Sequence, residues 1–213
     1  AVMPLASTGY VRSDFRKSMR GKRLREMFLR TRLDAELYLR CKQAFRGGDT
    51  HANIYWVSEL AVYVTSYDIS SSYPFQMMVR RYPMGKWYKI RPEHFRRELA
   101  AGKNALLIHC AFIGVSYRGR CGNPYISIAK CLHKSNIVND NGRVLSADFV
   151  ELTLTDIDFR IIEKDYDIEQ IKIESVYASY YDYLPKEFKD TLMEYFNAKT
   201  LLKGDPDHEY EYM

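Results

Sequence analysis

Along the chain the spacing of apolar residues changes several times, and each change marks a new element. From Val11 to Phe45 the period is helical. Leu24, Phe28, Leu29, Leu33, Leu37 and Tyr38 form an apolar stripe surrounded by Arg16, Lys17, Arg20, Lys22, Arg23, Arg25, Arg30 and Arg32, which predicts an amphipathic helical arm broken near Gly21. Tyr63, Val64, Thr65 and Tyr67 make a β-prone run that ends at Asp68. Ser70 to Pro74 then break that strand and start a helix from Tyr73 to about Tyr82, stopped by Pro83 and Gly85, with Phe75, Met78, Val79 and Tyr82 on one face expected in the core.

Pro92 to Ala101 predict a short surface helix ended by Gly102. Ala105 to Tyr117 and Tyr125 to Cys131 predict strands, joined by the turn-rich residues 118–124. Asn139-Asp140-Asn141-Gly142 is a hairpin turn, with Arg143 to Ser146 and Phe149 to Leu154 as further strands. A helix is expected from Thr155 to Tyr166, with Thr155 or Asp156 as its cap, and a strand from Gln170 to Tyr183. Pro185 opens a long helix through Phe188, Leu192, Tyr195, Phe196 and Lys199 towards Lys203, which Gly204-Asp205-Pro206 interrupts. Residues 208–213 carry no stop signal and read as another helix cut short, so the chain is expected to be a fragment. The fold class that follows is α+β, with a helical N-terminal arm, antiparallel strands, a β-rich hairpin region with short helices and a long C-terminal helix.

Composition changes this picture little and charge changes it more. The 213 residues suffice for a real core, and aromatics reach 14%, with 18 tyrosines. No apolar run is of membrane-spanning length and no signal-peptide pattern opens the chain, so a cytoplasmic protein with no membrane partner is expected. Cys41, Cys110, Cys121 and Cys131 form no paired framework, and reduced thiols are the simpler reading. Residues 1–50 hold twelve Lys and Arg against five Asp and Glu; residues 51–147 hold thirteen against five, and residues 148–213 seven against seventeen. The basic part suits nucleic acid and the acidic part does not. For the arm, with Arg20, Arg23 and Arg25 at its centre, two readings stand: contact with phosphates, or a solvated charged face.

Candidate chemistry concentrates in two stretches. An acid held where a strand meets a helix, as Asp68 is, suits a metal ligand with backbone groups free to meet a phosphate, and it is equally what a turn or cap uses. Asp68-Ile69-Ser70-Ser71-Ser72-Tyr73-Pro74 resembles motif A of family B DNA polymerases, D-x-x-S-L-Y-P, with Ser72 in place of the leucine. Ala44-Phe45-Arg46-Gly47-Gly48 resembles the aromatic-x-Gly-Gly linker of the protein-primed bacteriophage members, and it lies upstream of Asp68 as it does there. The resemblance extends from about residue 40 to 203. In this linker two residues without side chains let backbone approach a sugar-phosphate strand, and the aromatic can pack on a base.

The resemblance implies a division into residues 1–50, the basic arm and Gly-Gly linker; 51–85, a segment of the palm sheet with motif A; 86–184, an insertion that contacts a terminal protein used as primer; and 185–213, the first fingers helix, truncated. Residues 151–158 resemble the strand-then-helix pattern of that insertion. It implies template-directed nucleotidyl transfer with two Mg²⁺ ions, on a DNA template-primer with dNTP, in a phage or mobile-element enzyme. Asp68 and the Ile69 carbonyl would hold metal, the Ser71 and Ser72 amides would lie near the triphosphate, and Tyr73 would pack beneath the sugar and exclude a 2′-hydroxyl. Phe45, Arg46, Gly47 and Gly48 would handle the template or primer strand. Lys199 would approach the triphosphate, although a lysine late in a helix is also what the helix dipole favours.

The lysine helix of motif B and the acids of motif C are absent from the chain, so nucleotidyl transfer by the fragment alone is not expected. The rival, from another class, is a binding module that keeps the fold for nucleic-acid or protein contact without catalysis. Asp156-Ile157-Asp158 imitates motif C, but it opens an amphipathic helix, where carboxylates cap and complement the dipole. His109, Cys110, Cys121, Cys131 and His133 lack the close pairs of a structural zinc site, and no P-loop, dinucleotide fingerprint or hydrolytic triad is present.

Overall fold

The computed structural model describes residues 22–48, 58, 60, 62–69, 71–119 and 123–202. In chain order its regular elements are α1 (Lys22–Arg30), α2 (Ala35–Ala44), α3 (Ser72–Val79), β1 (Arg81–Pro83), β2 (Tyr88–Ile90), α4 (Phe95–Ala101), β3 (Asn104–Tyr117), β4 (His133–Ser135), β5 (Val138–Asp140), β6 (Arg143–Thr155), α5 (Asp156–Asp165), β7 (Tyr166–Tyr183) and α6 (Lys186–Leu202). The architecture is mixed α+β with antiparallel strands, and it divides into two compact units, residues 33–68 with 86–180, and residues 1–32 with 69–85 and 181–213.

The first of these units is built on β3. Its run Ala105 to Phe112, apolar except for His109, is buried on both faces of a sheet. On one edge β3 pairs antiparallel with β6, from Leu107 opposite Thr155 to Ser116 opposite Ser146; on the other it pairs antiparallel with β7, from Asn104 opposite Tyr180 to Tyr117 opposite Tyr166. β2 adds to β7, while β4 and β5 add to β6. The alternate side chains Ile108, Cys110 and Phe112 meet Val150, Leu152 and Leu154 in the main core, which Phe95 and Leu99 of α4 and Phe159 and Ile162 of α5 close. The Phe95 and Phe159 rings stand edge to face at 4.9 Å. Leu107, with the opposite alternation, packs instead with Leu37 and Ala44 of α2.

Local chemistry sets the boundaries. Asp34 caps α2, its carboxylate accepting from the Leu37 amide at 2.8 Å, and the helical arm is broken at residues 31–34. The expected break near Gly21, like all of residues 1–21, lies outside the described residues. Gly102, at φ +60, ends α4 in the left-handed conformation. Asn141 and Gly142, at φ +46 and +74, make the tight turn that joins β5 to β6. Thr155 and Asp158 form a reciprocal capping box at the start of α5.

The other unit contains α1, α3, β1 and α6. Arg81 to Pro83 pair antiparallel with Tyr183 to Tyr181 at the end of β7, so the helix expected to reach Tyr82 stops at Val79. Met27 and Met84 form a small core with Tyr82, Leu184 and Phe188. α6 follows Pro185 as expected and runs as one helix to Leu202.

Several expectations need correction. Residues 63–67 form no strand: Tyr63 has φ +58, no ladder partner exists among the described residues, and Val64 and Tyr67 are exposed. β propensity without a partner does not make a strand. Phe75 and Val79 are exposed, and α3 buries no residue, so its apolar face is not core in the described residues. α4 lies at the surface as expected, with Arg96, Arg97 and Ala100 exposed, and its other face buries Phe95 and Leu99 in the main core. Tyr125 to Cys131 contain one isolated bridge, from Ser127 to Arg143, and a single turn of 3₁₀ helix rather than a strand. The two strands expected within residues 143–154 are one strand, because pairing with β3 continues through Ala147 opposite Val115.

Candidate functional site

The linker begins where α2 ends. Phe45 is the C-cap, its amide donating to the Cys41 carbonyl at 2.9 Å, and its backbone turns extended at ψ 126°. That turn carries the Phe45 ring into solvent, where it is 68% exposed. Lys130 Nζ lies 5.8 Å from the centre of this ring. Gly47 and Gly48 are exposed, and among the described residues a Cβ at either would meet nothing within 4 Å. Packing against the described residues therefore does not require glycine there, and the exposed backbone can be approached closely from outside.

Arg46 points the other way. Its Nη1 donates to the Tyr125 carbonyl at 2.5 Å, and its guanidinium carbon lies 3.7 Å from the centre of the Tyr125 ring. Arg143 Nη1 donates to the same carbonyl at 3.3 Å. The Tyr125 hydroxyl donates to Asp158 Oδ1. Asp158 is buried, and its other oxygen accepts from the Thr155 amide at 3.1 Å and the Thr155 hydroxyl at 2.6 Å. Neighbouring Asp156 accepts from the Leu106 amide at 3.1 Å. Both acids of the Asp-x-Asp are thus engaged in holding the fold, as their place at a helix start suggested.

The loop that carries Tyr125 is fastened from beneath by Tyr166. This buried side chain accepts from the Ile126 amide at 3.0 Å and donates to the Val144 carbonyl at 2.9 Å, and burial pushes its pKa up to about 12. Ile126, also buried, anchors the loop in the main core without a strand.

The second candidate stretch is open. Asp68 is exposed, with no hydrogen bond or ion pair to a described residue, and Ile69 is 76% exposed. Ser70 lies outside the described residues. Ser71, at φ +52, turns the chain into α3 as its N-cap and makes no side-chain cap, so the first amides of α3, from Ser72 and Tyr73, have no acceptor within the helix. Tyr73 is 78% exposed. Asp68 and the Ile69 carbonyl are a partial ligand set: a hard divalent ion takes about six oxygens, and no group of three His, Cys, Asp or Glu able to hold a metal occurs among the described residues. These two residues fit part of a magnesium site and do not complete one.

Of the remaining predicted residues, Lys199 is exposed in the last turn of α6 and Arg25 is exposed on α1. Arg23 lies in α1 with its side chain outside the described residues, as is all of Arg20. The structure brings Phe45 and Arg46 together with Tyr125, Lys130 and Asp158. These three partners were missed, because a contact across 79 residues, as between Arg46 and Tyr125, leaves no local pattern.

Residues 14–116 match the family model described as DNA polymerase type B, organellar and viral. No curated protein matches the chain. Among solved structures, phi29 DNA polymerase complexed with primer-template DNA and incoming nucleotide substrates is similar at TM-score 0.65 and 18% identity, over 93% of this chain and 33% of that one. The post-translocation binary complex of phi29 DNA polymerase with primer-template DNA gives TM-score 0.63 and 19% identity, over 89% and 31%. The phi29 complex with single-stranded DNA gives 0.58 and 18%, over 88% and 31%. The chain therefore spans about a third of the length of the polymerase structures it matches. No described helix is long and apolar enough to cross a membrane. In sequence, residues 14–116 are similar to the type B DNA polymerases of organelles and viruses, and over most of its length the chain is similar in fold to phi29 DNA polymerase.

Proposed function

We propose that the chain is the central part of a protein-primed DNA-directed DNA polymerase, carrying one metal-binding carboxylate of the palm, the strand-handling linker and the base of the fingers. The observation that supports this reading is an exposed Asp68 with no bond to a described residue, in a chain whose fold is like that of phi29 polymerase. In the whole enzyme Asp68 and the Ile69 carbonyl would be ligands to Mg²⁺, which supplies charge to bind the triphosphate and activate the primer hydroxyl. A second carboxylate would come from outside residues 22–202. The Ser71 and Ser72 amides would receive the triphosphate at the N-terminus of α3, with Lys199 as a further cation. Tyr73 would lie under the sugar. The phi29 structures with primer-template and single-stranded DNA support DNA as the partner of the linker, where Phe45 offers a ring to a base and Gly47 and Gly48 offer bare backbone to a strand. Residues 86–184 would meet the terminal protein.

Binding to DNA by the basic arm and linker should be independent of sequence and steep in salt. Neutralising Arg20, Arg23 and Arg25 together should flatten the plot of log affinity against log salt by up to roughly 2 to 3 units, at about 0.7 to 0.9 per phosphate contact. Phe45→Ala should weaken single-strand binding about tenfold with the slope intact. An unchanged slope in the triple variant, with Phe45→Ala silent, would remove the arm and linker from the DNA path.

A further inference from the structure

We infer that Arg46 is a positioning residue of the linker rather than one of its DNA contacts, and that Tyr125 and Asp158 hold it in that role. Like the proposed function, this takes the linker to be a strand-handling element. The direction of the side chains supports this. Around the exposed ring of Phe45 the one cation within the linker turns away from solvent, to bond the Tyr125 carbonyl at 2.5 Å and stack at 3.7 Å on the Tyr125 ring. A guanidinium in this arrangement gains from both contacts, a carbonyl acceptor and the negative face of a ring. Tyr125 is in turn fixed by donating to the buried carboxylate of Asp158, which the capping box holds at the start of α5. That hydrogen bond also places electron density on the phenol and strengthens the face that Arg46 meets.

The consequence is mechanical. At the end of α2 the Phe45 ring is exposed while the guanidinium of the adjacent Arg46 is seated on Tyr125. Seating Arg46 on Tyr125 fixes the Phe45 ring outward and holds Gly47 and Gly48 in the open. The chain from the start of α5 through Tyr125 to Arg46 is thus a strut that pre-sets the linker, and lysine, which has neither a planar face nor a fork of donors, does not replace arginine in it.

Trypsin reads this strut directly in the free protein, since cleavage of the Arg46–Gly47 bond requires the Arg46 side chain to leave Tyr125. With melting curves confirming the fold, Tyr125→Leu should raise the cleavage rate at this bond about fivefold. Tyr125→Phe, which keeps the ring and loses the Asp158 bond, should fall between it and the wild type. Arg46→Lys should be cleaved faster despite keeping both charge and a trypsin site. On single-stranded DNA, Arg46→Lys and Arg46→Ala should weaken binding alike, with the salt slope unchanged in both.

A phosphate contact would behave differently. Arg46→Lys would be nearly silent, Arg46→Ala would lower the slope by about 0.7, and Tyr125→Leu would leave cleavage unchanged; this pattern overturns the inference. If Phe45→Ala leaves DNA affinity unaltered while Tyr125→Leu accelerates cleavage, the strut stands as structure and the strand-handling reading fails. The two failures are therefore told apart.

Discussion

Replacing Tyr166 by phenylalanine removes one oxygen from the core and tests how the loop bearing Tyr125 is held. That oxygen makes two hydrogen bonds, from the Ile126 amide at 3.0 Å and to the Val144 carbonyl at 2.9 Å, in a side chain only 1% exposed. The ring remains, and with it the tilted contact to Tyr117 at 5.5 Å. At about 0.5 to 1.5 kcal/mol net per hydrogen bond, the loss is roughly 1 to 3 kcal/mol. For a chain of this size, a loss near 2 kcal/mol lowers the melting temperature by about 4 to 8 °C. Thermal denaturation followed by circular dichroism at neutral pH measures it.

The same residue gives a pH signature. Burial holds the Tyr166 hydroxyl neutral up to about pH 12 in the folded chain, against an ordinary value near 10 in the unfolded one. Its folded value is raised, so the stability it contributes is fully present below pH 10 and is lost as pH rises towards 12. The gap between wild type and Tyr166→Phe should narrow over that window. A melting temperature within 1 °C of wild type at neutral pH, or a gap that widens above pH 10, would refute the account of this clamp.

Gly114, at φ +62 in the middle of β3, should tolerate no ordinary side chain: Gly114→Ala should cost about 1 to 2 kcal/mol in urea denaturation, with the Glu169 side chain also displaced, and Gly114→Asn should cost less. The isolated chain should show no primer extension with Mg²⁺ and dNTPs, because one carboxylate cannot hold two ions; extension abolished by Asp68→Ala would contradict this. In the full-length polymerase proposed to contain this chain, Tyr73→Val should raise ribonucleotide use relative to deoxyribonucleotide without destroying synthesis, and unchanged selectivity would remove Tyr73 from the sugar site.

Elements whose signals are local were legible in the sequence. The Asn141-Gly142 turn, the Thr155 cap, the Gly102 helix end and the long helix after Pro185 each follow from a residue's own conformational or capping preference, and each is present. Elements that depend on a partner were not. Tyr63 to Tyr67 have strand composition and no strand to pair with among the described residues, and the apolar positions of α3 have a helical period yet none of them is fully buried. Tyr125 to Cys131 alternate like a strand because Ile126 must face the core, which a bridge and a tight turn achieve as well. For the candidate site, the linker and Asp68 could be named from short patterns, whereas the seat of Arg46 could not, since it is made by Tyr125, in the loop after β3, and Asp158 of α5, far along the chain.

The proposal turns on Asp68 as a metal ligand of a polymerase palm, and Asp68→Asn in the full-length polymerase proposed to contain this chain tests it most directly. Asparagine keeps the shape and much of the hydrogen bonding of aspartate and removes the charge that holds a hard cation. Because Asp68 is exposed and makes no bond to a described residue, the folded state should melt within about 0.5 kcal/mol of wild type. Primer extension with Mg²⁺ should fall by about a thousandfold or more, as expected for losing a charge that acts on the transition state. A turn or cap residue would accept asparagine almost silently, so near-normal extension by Asp68→Asn would contradict the claim.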